Sequence, residues 1–136
     1  MRNHYEAFAA RLNADVALAG KGHDTSFTDV DGAPVRSTYW LLFGGAPDVL
    51  DDGRMTALQL ATSDAEFVYT VRSVSTTGDG ARSVQAKVAA QMIGHPLVVP
   101  GRLCRTQMTD ATDIRWDQTA KLFHGDQEFT VFSSRA

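Results

Sequence analysis

The chain has 136 residues, of which 43% are hydrophobic and 21% charged, with a formal net charge of −3, the size and balance of one globular domain with a real core. The acidic balance leaves no basic footprint for nucleic-acid recognition, and no apolar run reaches the roughly 20 residues of a membrane span. Residues 1–5 lack the apolar stretch of a secretory signal, and the single cysteine, Cys104, excludes an intrachain disulfide and fits a reducing cytoplasm.

In chain order, Tyr5, Phe8, Ala9 and Leu12 recur at i, i+3, i+4 and i+7, the apolar stripe of an amphipathic helix. Asn3 with Glu6 has the form of a capping box at its start. Asp15 is placed to cap one further turn that Gly20 closes. Residues 21–35 are turn-rich, with Gly22, Asp24, Asp29, Asp31, Gly32 and Pro34, while Phe27 and Val30 leave room for a short strand. Residues 38–43 read as a strand so continuously apolar that it should be central and covered on both faces. Gly44, Gly45, Ala46 and Pro47 are expected to stop it.

Residues 44–64 then make a long connection. Asp51, Asp52 and Gly53 form a turn, residues 57–61 read either as a short strand or as a helical turn, and Met55, Leu58 and Leu60 supply a modest apolar segment. A hairpin needs only two to five residues for such a connection, so the excess points to an assembly loop.

Residues 65–100 are the best-defined stretch. Residues 66–74 are rich in β-branched and aromatic types, with Phe67, Tyr69 and Val71 on one face and Val68, Thr70, Arg72 and Val74 on the other. Thr77 or Asp79 caps a helix whose buried stripe is Ala81, Val84, Val88, Ala89 and Met92, and Gly94 with Pro96 ends it. Residues 97–101 form a buried lead-in to a strand at 103–109, where Leu103, Arg105 and Gln107 face one way and Cys104, Thr106 and Met108 the other. That strand is expected to continue through Ile114 and Trp116. Residues 117–126 read as a loop and 128–133 as the terminal strand. The order predicts an α+β fold, a small and mainly antiparallel sheet of about four strands flanked by two helices, in one domain spanning 1–136.

Chemistry is sparse. His4, His23, His95 and His124 are scattered without metal-ligand spacing and read as surface residues. His23 beside Asp24 has no nucleophile near it in sequence, and Cys104 reads as a small core residue. Asp29, Asp31 and Gly32 open like a calcium loop, but Pro34 and Val35 follow and no glutamate closes it. Gly78-Asp79-Gly80 is explained by helix initiation, since Asp79 would repel a phosphate. No catalytic, cofactor or metal residue is assigned, and no enzyme activity is expected. Arg102, Arg105 and Arg115 read as ordinary solvated arginines, or as a basic strip if the protein assembles and they share a sheet face; Trp116 reads most simply as core, or, between two charges, as an interface anchor.

Three stretches carry a family resemblance: residues 12–20 closing the first helix (LNADVALAG), the strand 68–74 (VYTVRSV) with the helix after it, and residues 97–102 (LVVPGR) before the last strands. Together they resemble the tail terminator (minor tail or tail-completion) proteins of long-tailed bacteriophages, especially those of actinobacteria. The resemblance implies a virion protein at the tail–neck junction, assembled in the host cytoplasm as a homo-hexameric ring. Its partners would be other copies of itself, the tail-tube protein and head–tail connector or neck proteins. It would stop tube polymerisation and present the head-joining surface, with no cofactor, membrane or nucleic-acid sequence to recognise. Candidate assembly contacts are Asp48, Asp51, Asp52, Arg54 and Met55 in the long connection, and Arg102, Arg105, Arg115 and Trp116 toward the C-terminus. The alternatives are another neck component, such as a head-completion protein, or a small α+β enzyme or ligand-binding domain. The latter would have a pocket between helices and sheet lined by His23, Asp24, Tyr69 or His124.

Overall fold

The structure, a computed structural model, describes residues 2–49 and 64–135. Helix α1 (Arg2–Asn13) opens the chain. It already includes Asn3, which therefore stands inside the first turn rather than capping it. Asp15 does cap the next turn: its Oδ1 accepts from the Ala17 N–H at 2.7 Å, and Gly20 follows with φ of 75°. Strands β1 (Gly22–Asp24), β2 (Tyr39–Val49) and β3 (Ala65–Ser75) come next, then helix α2 (Gly78–Met92). Strands β4 (Arg102–Ala111), β5 (Arg115–Asp117) and β6 (Leu122–Arg135) complete the chain.

Among the described residues the sheet has six strands, not four, in the order β1-β2-β3-β6-β4, with β5 also on β6. Its pairings are antiparallel except β1 with β2, which is parallel. The two extra strands are three-residue pieces whose sequences, Gly22-His23-Asp24 and Arg115-Trp116-Asp117, show no strand periodicity. They pair because a neighbouring strand offers an edge. β5 extends the β4 ladder along β6 after an interruption at residues 112–114, so the expected continuation through Trp116 holds in position but not as one strand. β6 begins at Leu122, inside the expected loop, and pairs with β3 over eleven consecutive positions.

The largest correction concerns β2. It runs through Gly44 and Pro47 to Val49, with a register shift between those two residues. Gly44 and Gly45 have φ of 92° and 86°, so the glycines make a bulge instead of a stop. A Cβ at Gly44 would stand 2.6 Å from the carbonyl oxygen of Val68. Pro47 is tolerated because no described strand pairs with β2 on its outer side beyond Leu42. The first part of the expected assembly loop is therefore paired strand. Its remainder, including Asp51, Asp52, Arg54, Met55 and the segment 57–61, lies outside the described residues.

Both helices cover one face of the sheet. Phe8 and Leu12 from α1 and Val84, Val88 and Met92 from α2 close over Phe67, Tyr69 and Val71 of β3 and Phe129 and Val131 of β6. Each fully buried side chain of this kind contributes roughly 1.5–3 kcal/mol, so the α2 stripe is a major part of the fold's stability. Thr77 caps α2, its Oγ1 accepting from the Gly80 N–H at 3.0 Å. Leu97 and Val99 are buried as expected, with Val98 turned outward.

Candidate assembly surface

Strand alternation gives the sheet a second face, and the described residues cover only part of it. At the β1 end, the segment between β1 and β2 folds over it. Phe27 and Val35 pack there against Tyr39, Leu41, Val74 and Leu122. His23 stacks on Phe27 with ring centroids 3.6 Å apart. A cavity of about 190 Å³ lies beneath this segment, lined by Phe27, Tyr39, Leu41, Arg72, Val74 and His124 among others. That is small for a ligand pocket. Arg72 at its rim is held by Asp126 through two hydrogen bonds of 2.8 and 3.0 Å, and the bond to this carboxylate keeps the guanidinium pKa raised.

The residues proposed to line a ligand pocket do not converge. Tyr69 is fully buried on the helix face, 4.8 Å from the Phe8 ring, where burial pushes its hydroxyl pKa upward. His124 lines the cavity on the opposite face, and His23 pairs in register with Leu41 on that same side. Among the described residues no group of three metal-ligating side chains comes together.

The rest of the second face carries Glu66, Val68 and Thr70 from β3, Glu128 and Phe132 from β6, and Leu103 and Arg105 from β4. Val68 is 40% exposed and Leu103 64%. The Arg105 guanidinium lies over the Phe132 ring, 4.9 Å from its centroid. A hollow of about 300 Å³ opens beside them, bordered by Asp64, Ala65, Leu103, Arg105, Phe132 and Ser134 among others. Beyond it, β4 is the outer strand of the sheet, and it is half-exposed or exposed along its whole length.

The three arginines do not form the alternative basic strip. Arg102 points to the helix face and is anchored there, its Nε donating to Ser133 Oγ at 2.8 Å and its Nη2 to the Ser133 carbonyl at 2.9 Å. Arg105, three positions on, projects from the opposite face, and Arg115 sits near the other end of β6 opposite His124. A period of two cannot put positions 102 and 105 on one face. Trp116 is 45% exposed, packs on Phe123 at 4.8 Å and donates from Nε1 to Gln118 Oε1 at 2.7 Å. Asp48 stands on β2 in register with Glu66. Cys104 packs against the core cluster as expected.

One histidine departs from the surface reading. His4 is 3% exposed, stacked on Phe67 at 4.1 Å, and its Nε2 shares a 2.9 Å hydrogen bond with Ser133 Oγ. Burial, with the positive charge of Arg102 also contributing, lowers its pKa to about 4. The signal was present in sequence, since His4 lies four residues before Phe8 and eight before Leu12, on the same helical stripe.

No protein-family model matches the chain, and no curated protein matches it significantly. Among solved structures, a chain from the virion of a native gene transfer agent (GTA) particle is similar, with a TM-score of 0.68 and 20% sequence identity. The match covers 94% of this chain and 92% of that one, so the two share a fold from end to end.

Proposed function

We propose that the chain is a structural, non-catalytic component of a phage-like particle. The observation that carries this reading is the near-complete fold likeness, in both directions, to a chain of the gene transfer agent virion. A sheet face that the described residues leave partly uncovered, bordered by a ten-residue strand, supports it, because such a surface suits protein contact better than small-molecule chemistry.

The finer reading is the tail terminator: a hexameric ring at the head-proximal end of the tail tube that stops polymerisation and offers the head-joining surface. It rests on the sequence resemblance and on an α+β domain with two dissimilar sides, which a closed head-to-tail ring requires. Deleting the gene tests both levels. The terminator reading expects tubes of uncontrolled length that fail to join heads, and a reconstruction of complete particles with this chain in one six-fold ring at the neck. A ring in the neck with normal tube length in the deletion would assign the chain to another neck component. Particles that lack the chain and assemble normally without it would refute the structural role altogether.

A further inference from the structure

Among the described residues the sheet leaves two edges unpaired at the same height. β1 covers β2 only at Trp40, Leu41 and Leu42, so no described strand lies beside residues 43–49 on that side. At the far side β4 is the last described strand. The ladders set these two edges level. Val49 pairs with Ala65, Ala65 with Ser133 and Ser133 with Cys104, and one step along the row reads Asp48, Glu66, Phe132, Arg105. Each row crosses β2, β3, β6 and β4, which alternate in direction, so the two outer strands run opposite to one another. A second copy set beside the first in the same orientation therefore offers its β2 antiparallel to the first copy's β4.

Charge favours that placement. The row carries the acidic Glu66 toward the β2 side and the basic Arg105 at the β4 side. Neither Glu66 nor Arg105 makes an ion pair among the described residues. Leu103, 64% exposed next to Arg105, adds apolar area at the same end of β4.

We infer that these two edges form the contact between copies of the chain: residues 104–110 of β4 on one subunit lie along residues 43–49 of the next, with Arg105 level with position 48 and facing Glu66 in its neighbour's row. The inference rests on the particle reading and supplies the subunit contact that reading leaves open. Such a contact uses different surfaces on the two partners, so it propagates in one direction and closes as a ring when the rotation per copy completes a full turn. Pro47 has no N–H to donate, and register shifts at Gly44/Pro47 and Met108/Asp110 bend both edges. These features weaken indiscriminate strand addition, leaving side-chain complementarity to select the partner.

The native Cys104 provides the test. In the proposed contact Cys104 lies opposite Val49 of the next subunit, within disulfide reach. Within one chain the two positions are three strand spacings apart, roughly 14 Å, so no internal bridge can form. The Val49→Cys variant, oxidised with diamide both in assembled particles and as concentrated purified protein, is expected to give a covalent ladder ending in a closed six-membered species. Adding Cys104→Ser should abolish it. Arg105→Glu is expected to reduce assembly at least tenfold with an unchanged monomer melting temperature, and adding Glu66→Arg should restore part of it. Particles that contain the chain but give no Val49→Cys bridge would overturn the contact, as would a ladder stopping at dimers. Bridging of purified protein with the chain absent from particles would keep the contact and sink the particle reading. No bridge and no incorporation would sink both.

Discussion

The burial of His4 makes a quantitative prediction about acid stability. In the unfolded chain its imidazole takes up a proton near pH 6.5, whereas in the fold it stays neutral down to about pH 4. The unfolded state therefore binds more protons throughout that interval, and stability must fall as pH drops from about 6.5 to about 4, flattening below. Two and a half pH units at about 1.4 kcal/mol each correspond to roughly 3 kcal/mol, a large share of a small domain's total. The structural cause is specific. The ring is stacked against Phe67, its Nε2 is matched to Ser133, and Ser133 already accepts from the cationic Arg102, so a second positive charge there would be repelled by the first. His4→Phe keeps an aromatic ring against Phe67 and removes the titration. Urea unfolding of both proteins at half-unit steps from pH 4 to 7.5 isolates the effect, because the carboxylates titrate equally in each. The stability difference between them should change by roughly 3 kcal/mol in favour of His4→Phe as the pH falls. Parallel curves across that range would show that His4 does not titrate as its burial requires.

Three further substitutions check the fold. Val88→Asp places an unpaired carboxylate between α2 and the sheet and is expected to cost roughly 3 kcal/mol or more; a soluble variant with an unchanged melting temperature would mean that α2 presents another face. Gly44→Ala meets both a φ of 92° and the Val68 carbonyl oxygen, so a loss of about 2 kcal/mol by urea unfolding is expected, and a neutral result would contradict the bulge. Thr77→Ala removes the side-chain cap on the Gly80 N–H and should lower the melting temperature by about 3–4 °C, corresponding to about 1 kcal/mol, while Thr77→Ser should retain most of it.

The sequence by itself determined the elements whose periodicity is strong and local. The faces of β3, the α2 stripe with its Thr77 cap, the turn at Asp15 and the alternation of β4 were all legible, because each depends on neighbours within a few positions. Tertiary structure decided what depends on partners distant in sequence. β1 and β5 are strands only because β2 and β6 offer them hydrogen-bonding edges. The Gly44–Pro47 segment reads as a terminator in isolation, yet the opposed β3 strand carries it through as a bulge. The same limit governs the candidate surface. Arg102 and Arg105 look alike in sequence, but pairing with β6 anchors one to Ser133 and leaves the other over Phe132 on the opposite face. Asp48 and Arg105 are 57 positions apart in the chain and share a row only through two intervening strands. Local propensity sets which way a side chain alternates; the long-range register sets what stands beside it.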